Sequence, residues 1–308
     1  MSEMIWILTG PTASGKTDLS LDLAERYDCE IVCMDSMQIY RGMDIGTAKP
    51  TKAEQARVPH HMLDIVDPRE SYSVAQWVED ACACIREIQN RGKRALLVGG
   101  TGFYLRALRH PMAMGNVPAV PEIRRELEAV AEQPDGKARL HRQLAEVDPP
   151  TAERLHVNDV RRVIRALEVW RATGIPFSRQ AQAETPPPFP SRCAALTLPR
   201  DVLYRRIDLR VEKMLEAGLA EEVRGLLDSG VPEDCQSMKG LGYKELVPCL
   251  RGEFSPEEAK AAIQQGSRHY AKRQLTWLRA EKDLFWAEDG SAIESFFTEG
   301  LNDGHERI

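Results

Sequence analysis

Gly10-Pro11-Thr12-Ala13-Ser14-Gly15-Lys16-Thr17 matches G-x-x-x-x-G-K-[ST] at every fixed position. The residue types state the chemistry. Glycines let backbone N–H groups curl around phosphate oxygens, and the start of a following helix adds partial positive charge. Lys16 supplies a point charge between phosphates, and the Thr17 hydroxyl suits Mg²⁺. Such a cradle does not say which phosphate it holds. ATP hydrolysis or phosphoryl transfer is the default, and those reactions use an acid at the end of a buried strand to help hold the metal. The apolar run Arg94–Gly100 ends in glycines and continues Thr101-Gly102, with no carboxylate. The run Glu30–Met34 does end in one, Asp35, followed by Ser36-Met37-Gln38. Spacing alone leaves Asp35 open as a metal ligand, a general base or a structural cap.

Positioning these groups requires strands and helices in a particular order. Met4–Gly10 reads as a buried strand, and a helical pattern follows from about Lys16 to Tyr27. Glu30–Met34 and Arg94–Gly100 read as further strands, with an amphipathic helix between them over roughly Val74–Gln89. Cys193–Leu198 is another strand candidate. Strands alternating with helices imply right-handed parallel βαβ units, so the fold class is α/β. In a parallel sheet the C-terminal strand ends line one crevice, which brings Asp35 to the phosphate cradle. From Pro121 to about Gln182 no strand pattern occurs, and helices are expected over 121–133, 136–147 and 158–174, the last capped by Asn158 and stopped by Gly174. Pro118 and Pro121 on one side and 185–190 (TPPPFP) on the other bracket this block as hinges. The expected division is a core of residues 1–117 and 191–308 with a helical insertion at 118–190. After Leu198 the chain is expected to be helical to about Lys282, and frayed after Asp289.

Composition bounds the function classes. The 308 residues carry 41 Lys+Arg against 47 Asp+Glu, a net charge of −6, which argues against indiscriminate coating of nucleic acid or anionic membrane. The apolar stretch Met4–Leu8 is too short to span a membrane and lacks signal-peptide flanks. Seven cysteines without a CxxC pair read as reduced, mostly buried thiols of a cytoplasmic protein, with no support for structural zinc. A local basic stretch does exist: Lys260–Lys282 holds six Lys/Arg (260, 268, 272, 273, 279, 282) against one acid, Glu281. Tyr270 and Trp277 interleave with it and read as core-facing. Arg161, Arg162 and Arg165 form a second cluster in the helical block.

Several segments together resemble one family. GPTASGKT, 35–50 (DSMQIYRGMDIGTAKP), 60–68 (HHMLDIVDP), 98–108 (VGGTGFYLRAL), 158–168 (NDVRRVIRALE), 203–215 (LYRRIDLRVEKML) and 239–245 (KGLGYKE) are similar, in order, to the tRNA dimethylallyltransferases, also called tRNA isopentenyltransferases. The resemblance implies a P-loop NTPase-like parallel sheet core with an inserted all-helical domain. It implies transfer of a dimethylallyl group from dimethylallyl diphosphate to N6 of adenosine 37, in the anticodon stem-loop of tRNA. The cradle would then hold a leaving diphosphate through Gly10, Thr12, Ala13, Ser14, Gly15, Lys16 and Thr17, with Mg²⁺ on Thr17. Asp35 would be the base that takes the amine proton, a role commonly contributing about 10²–10⁴-fold. Thr101 would lie by the diphosphate and the acceptor, and Arg206 would contact the diphosphate; without the resemblance no choice among Arg205, Arg206 and Arg210 is possible.

The target base has to leave its stack to be reached. Asp35, Ser36, Met37 and Gln38 would receive it, Gln38 because an amide donates and accepts at once. Asp159, Arg161, Arg162 and Val163 in the insertion, and Gly242, Tyr243 and Lys244 in the core, would meet the rest of the tRNA. A monomer is expected. The last thirty residues hold no Cys, so the zinc finger of some eukaryotic relatives is not expected. The alternatives are a P-loop small-molecule kinase, against which the lack of an acid at the end of Arg94–Gly100 and the large insertion count, and a nucleotide-gated RNA-binding adaptor, which leaves Asp35 and Thr101 beside the cradle unexplained.

Overall fold

The computed structural model describes residues 4–110, 120–180 and 186–299. They form an α/β fold around a parallel sheet. Its strands are β1 (Ile5–Thr9), β2 (Cys29–Cys33), β3 (His60–His61), β4 (Arg94–Val98), β5 (Ser191–Leu196) and β6 (Phe285–Ala287), in the spatial order β3-β2-β4-β1-β5-β6. Every neighbouring pair is parallel, with Ile7 opposite both Leu97 and Cys193. The helices in chain order are α1 (Lys16–Arg26), α2 (Lys52–Arg57), α3 (Val74–Asn90), α4 (Gly102–Arg109), α5 (Pro121–Ala131), α6 (Gly136–Val147), α7 (Pro149–Arg154), α8 (Val160–Thr173) and α9 (Phe177–Gln180). After β5 come α10 (Arg200–Glu216), α11 (Leu219–Asp228), α12 (Tyr243–Leu250), α13 (Pro256–Arg279) and α14 (Gly290–Thr298).

Strand periodicity feeds two apolar layers. Ile5 and Ile7 of β1 join one cluster with Trp77 and Ile85 of α3, while Trp6 and Leu8 join a second with Leu21 of α1 and Phe297 of α14. Burial on both faces is why β1 reads as a continuous apolar run. The expected fraying after Asp289 is therefore corrected as far as Glu299. Asp289 caps α14 by accepting from the Ala292 N–H at 2.9 Å, and Phe297 stacks on Trp6 with ring centroids 5.0 Å apart. Polar composition hid the two apolar residues, Ile293 and Phe297, that a single short helix needs for docking. β3 and β6 were also not expected. They are two and three residues long, and neighbours rather than local pattern make them strands. β5 begins two residues before the expected run and ends at Leu196.

The chain divides into two compact units, residues 1–109 with 188–308, and residues 110–187. The expected insertion, 118–190, starts eight residues into this second unit and ends three residues beyond it. Pro118 and Thr185 lie outside the described residues. The insertion has its own core of Leu127, Leu140, Leu144, Ile164 and Leu167. Glu168 is buried there. Burial alone would raise its carboxyl pKa, but hydrogen bonds from Arg124 (2.7 Å), Arg165 (2.9 Å) and the Val120 N–H (2.8 Å) overcome this and hold it low. Asn158 is not the α8 cap; Asp159 occupies that position, and Gly174 ends the helix with φ +71° as expected.

Candidate active site

The cradle begins where β1 ends. Gly10 (φ +141°), Ala13 (φ +63°) and Gly15 (φ +102°) take backbone conformations that curl the loop before α1. A Cβ on Gly10 would lie 2.2 Å from the Leu196 carbonyl oxygen, so only glycine lets the loop pass β5. Lys16 folds back over the loop and donates to the carbonyls of Gly10 (3.0 Å) and Pro11 (2.7 Å). Burial, then the nearby Arg210, lowers the Lys16 pKa to about 7, with Asp35 opposing. Ser14 is buried and its hydroxyl has no protein partner. A buried hydroxyl without a partner is costly, and a phosphate oxygen would supply the acceptor.

β4 separates the ends of β1 and β2, so Asp35 stands two strand spacings from the cradle, roughly 10 Å. The end of β4 is made of glycine because it is squeezed from both sides. A Cβ on Gly99 would meet the Met34 carbonyl at 2.1 Å, and one on Gly100 would meet Gln274 Nε2 at 2.2 Å. Close approach, not metal binding, is therefore what the glycines at this strand end serve. Asp35 turns into the gap and accepts from the Met37 N–H at 2.9 Å. Burial raises its pKa, against the pull of that N–H and of Lys16. Thr101 follows the glycines; its hydroxyl accepts from the Ser36 N–H at 3.1 Å and ties the Asp35 turn to the start of α4.

Two other helices complete the site. Gln274 of α13 donates to the Gly100 carbonyl (2.9 Å) and accepts from the Thr12 N–H (2.8 Å), linking the cradle to β4. Tyr270, one turn earlier, is in hydrogen-bond contact with Thr101 and Gln274. From α10, Arg210 donates to the Thr12 hydroxyl at 3.2 Å, and burial lowers its pKa. A cavity of about 350 Å³ holds Asp35, Gln38 and Tyr270. A second, of about 300 Å³, lies on the other side of the cradle against Ser14, Arg206 and Lys213. Lys16, Thr17 and Arg210 line both. The outer chamber sets Arg206, Lys213 and the shared Lys16 and Arg210 against one acid, Asp18, whereas the inner one adds Asp35, Gln38 and Gln274 alongside Lys239, Lys244 and Arg273.

The same arrangement of segments occurs in known proteins. The family described as IPP transferase matches residues 38–281, and isopentenyl transferase matches residues 3–65. The chain belongs to the IPP transferase family. It is 49% identical to a tRNA dimethylallyltransferase of Geobacter metallireducens over 95% of this chain and 94% of that one. A solved tRNA isopentenylpyrophosphate transferase of Bacillus halodurans is 42% identical, with 98% and 97% of the two chains covered and a TM-score of 0.72. A eukaryotic dimethylallyltransferase, solved acting on tRNA, is 28% identical with a TM-score of 0.80, covering 98% of this chain and 77% of that one.

Within this member of the IPP transferase family, the expected cradle, Asp35–Gln38 and Thr101 come together. Three details add to that expectation. Thr12 donates its N–H to Gln274 and its hydroxyl accepts from Arg210, which leaves the hydroxyl proton for another acceptor. Arg206 is exposed on the outer chamber, and Arg210, one turn on, is the arginine that reaches both chambers. Gln38 spends its amide hydrogens on the carbonyls of Thr47 (3.1 Å) and Ala48 (3.0 Å), which leaves only its oxygen to face a base.

Among the expected tRNA contacts, Arg161 and Arg162 are exposed, with Arg162 paired to Asp159 at 3.1 Å. Val163 is 1% exposed, because the apolar stripe of α8 turns it into the insertion's core. Lys244 is exposed, whereas Gly242 and Tyr243 are buried; Tyr243 donates to Glu222 at 2.6 Å. In the basic stretch, Lys260 pairs with Glu212 and Arg268 with Asp208. Tyr270 and Trp277 are not core residues. Tyr270 lines the inner chamber, and Trp277 carries Arg106 over its ring at 4.8 Å and meets Phe103 edge-on, because this face of α13 packs on α4 rather than on the sheet. Gln274 and Glu222 were missed, and Arg210 was named without being chosen; their only local signal was a polar side chain on a helix face. The cysteines are free thiols. Among the described residues no helix is long and apolar enough to cross a membrane.

Proposed function

We propose that this protein transfers a dimethylallyl group from dimethylallyl diphosphate to N6 of adenosine 37 in the anticodon stem-loop of tRNA, as a cytoplasmic monomer. The observation that carries the reading is the pair of chambers meeting at Lys16, Thr17 and Arg210, with Asp35 on one side only. The diphosphate belongs to the cradle side and the base to the Asp35 side. The C1–O bond of the donor breaks as the bond from C1 to N6 forms. The electron pair of the C–O bond leaves with the diphosphate, whose growing charge meets Lys16, Arg210 and the loop N–H groups. The proton from N6 passes to Asp35, whose raised pKa suits a base that must accept it.

The donor set also fits Mg²⁺. The Thr17 hydroxyl at the chamber boundary, with diphosphate oxygens, offers the hard oxygen ligands that ion takes, and among the described residues no cluster of three or more His, Cys, Asp or Glu suggests another metal. When bound it would neutralise charge on the leaving group. Exposed Arg161 and Arg162 give the insertion cations for RNA phosphates.

The test mixes purified protein with tRNA lacking the modification, Mg²⁺ and radiolabelled dimethylallyl diphosphate. Label on the tRNA, mapped to position 37, is the expected result. Donor consumed only with ATP, and no label on RNA, would overturn the reading in favour of a kinase.

A further inference from the structure

Gln38 stands in the inner chamber with Asp35, and its amide is oriented by the protein. Both hydrogens point at main-chain carbonyls, those of Thr47 and Ala48. Flipping the amide would set its oxygen against those same two carbonyl oxygens, so the orientation holds as long as they stay in place. The Gln38 oxygen faces the other way. There it accepts from the Cys33 thiol at 3.3 Å, which burial keeps protonated, and one lone pair remains.

The two carbonyls sit on a turn that is itself held from a distance. Glu222 of α11 accepts from three consecutive main-chain N–H groups, Asp44 (2.9 Å), Ile45 (2.8 Å) and Gly46 (3.1 Å). The Tyr243 hydroxyl donates to the same carboxylate, and its ring lies where a Cβ on Gly46 would be, at 2.5 Å. Buried Lys49 closes the far end of the turn on Asp44 (2.7 Å), Asp64 (2.5 Å) and the Tyr40 carbonyl (2.8 Å). Nothing in this lock touches the cradle.

We propose that Glu222 is a positioning residue for base selection: by holding the 44–48 turn it keeps Gln38 an acceptor-only reader of the base entering the inner chamber. The inference rests on the function proposed above and adds a selection rule to it. Adenine presents an amino group at position 6, a donor that the Gln38 oxygen attracts. Guanine and hypoxanthine present an oxygen at that position, which meets a fixed acceptor and is left unpaired. A freely rotating amide would accept either base by turning over, so discrimination comes from the lock and not from glutamine itself.

The test compares binding of two synthetic anticodon arms, with adenosine or inosine at the target position, to the wild-type protein, Glu222→Ala, Gln38→Leu and the double variant. Inosine differs from adenosine at position 6 by oxygen for amine and by the N1 proton. Glu222→Ala should cut the adenosine-to-inosine affinity ratio about tenfold, the worth of one hydrogen-bonding choice. Gln38→Leu should cut it equally, and the double variant no further, leaving the preference that Asp35 supplies. A merely structural role would weaken both arms alike and keep the ratio. An unchanged ratio in Glu222→Ala, or losses that add in the double variant, would overturn the proposal. If Glu222→Ala does not fold, Tyr243→Phe removes one hydrogen bond of the lock and leaves the ring on Gly46; an intermediate ratio supports the proposal, and an unchanged one overturns it. Absence of any transfer to the adenosine arm by the wild type would instead remove the proposed function.

Discussion

Around Lys16 the site is made of main chain; around Asp35 it is made of side chains held from far along the sequence. The cradle needs eight consecutive residues, with φ values at Gly10, Ala13 and Gly15 doing the shaping. The Asp35–Gln38 turn needs Thr101, just before α4, and the 44–48 turn behind it needs Glu222 of α11 and Tyr243 of α12. The difference follows from the ligands each side is built for. A diphosphate is a compact charge that any curl of N–H groups satisfies. A flat base has edges that differ by single atoms, and reading them takes side chains fixed in direction.

The sharpest break between the two sides is chemical. Asp35→Asn should lower kcat by about 10²–10⁴-fold while diphosphate affinity and melting temperature stay near wild type, checked by single-turnover transfer and calorimetry. Equal loss of donor binding would mean that Asp35 belongs to the cradle side. Next in size, Arg210→Met should weaken dimethylallyl diphosphate binding about 10–100-fold, the scale of a charge-assisted hydrogen bond, whereas Arg206→Met at the exposed rim should cost only a few-fold. The reverse order would restore Arg206 as the principal contact.

Proton linkage separates the sides again. Lys16 has a pKa near 7 when the site is empty, so above that pH it must take up a proton to meet the anion. Donor affinity should therefore fall about tenfold per pH unit above 7, and level off below it. On the other side, the raised Asp35 pKa means kcat should fall as pH drops through it, since a protonated carboxyl cannot accept the amine proton. A donor Kd flat from pH 6 to 9 would show that Lys16 stays charged throughout. Smaller still, Gly46→Ala should push on the Tyr243 ring, raise the KM for tRNA several-fold and spare the donor KM, since the cost of overpacking of about 1–3 kcal/mol falls on the turn alone. In the insertion, Arg161→Ala should cost a few-fold in tRNA affinity, lost at high salt, whereas Val163→Ala should lower the melting temperature with affinity unchanged.

Legibility followed the same division. The cradle and Asp35 could be read because each lies at the end of a buried apolar run, and a parallel sheet gathers such ends. Arg206 came from the resemblance alone, because three arginines on one helix carry no mark of which one meets the boundary of the chambers. Tyr270 and Trp277 were placed in the core since aromatic spacing on a helix does not say what the helix packs against. Val163 was assigned to RNA as part of a segment, although its apolar side chain belongs to the stripe that folds the insertion.

Residue order alone determined the α/β class, the cradle and its neighbouring carboxylate, because backbone curvature, strand burial and helix starts are written within a dozen residues. Only the tertiary structure decided which way Gln38 faces, which arginine meets the boundary of the chambers, and that α14 closes the sheet. Those outcomes depend on groups such as Glu222 and Gln274, brought 176 and 262 positions back along the chain by packing. A long-range contact leaves no local pattern, since its partners are chosen by the fold and not by their neighbours in sequence.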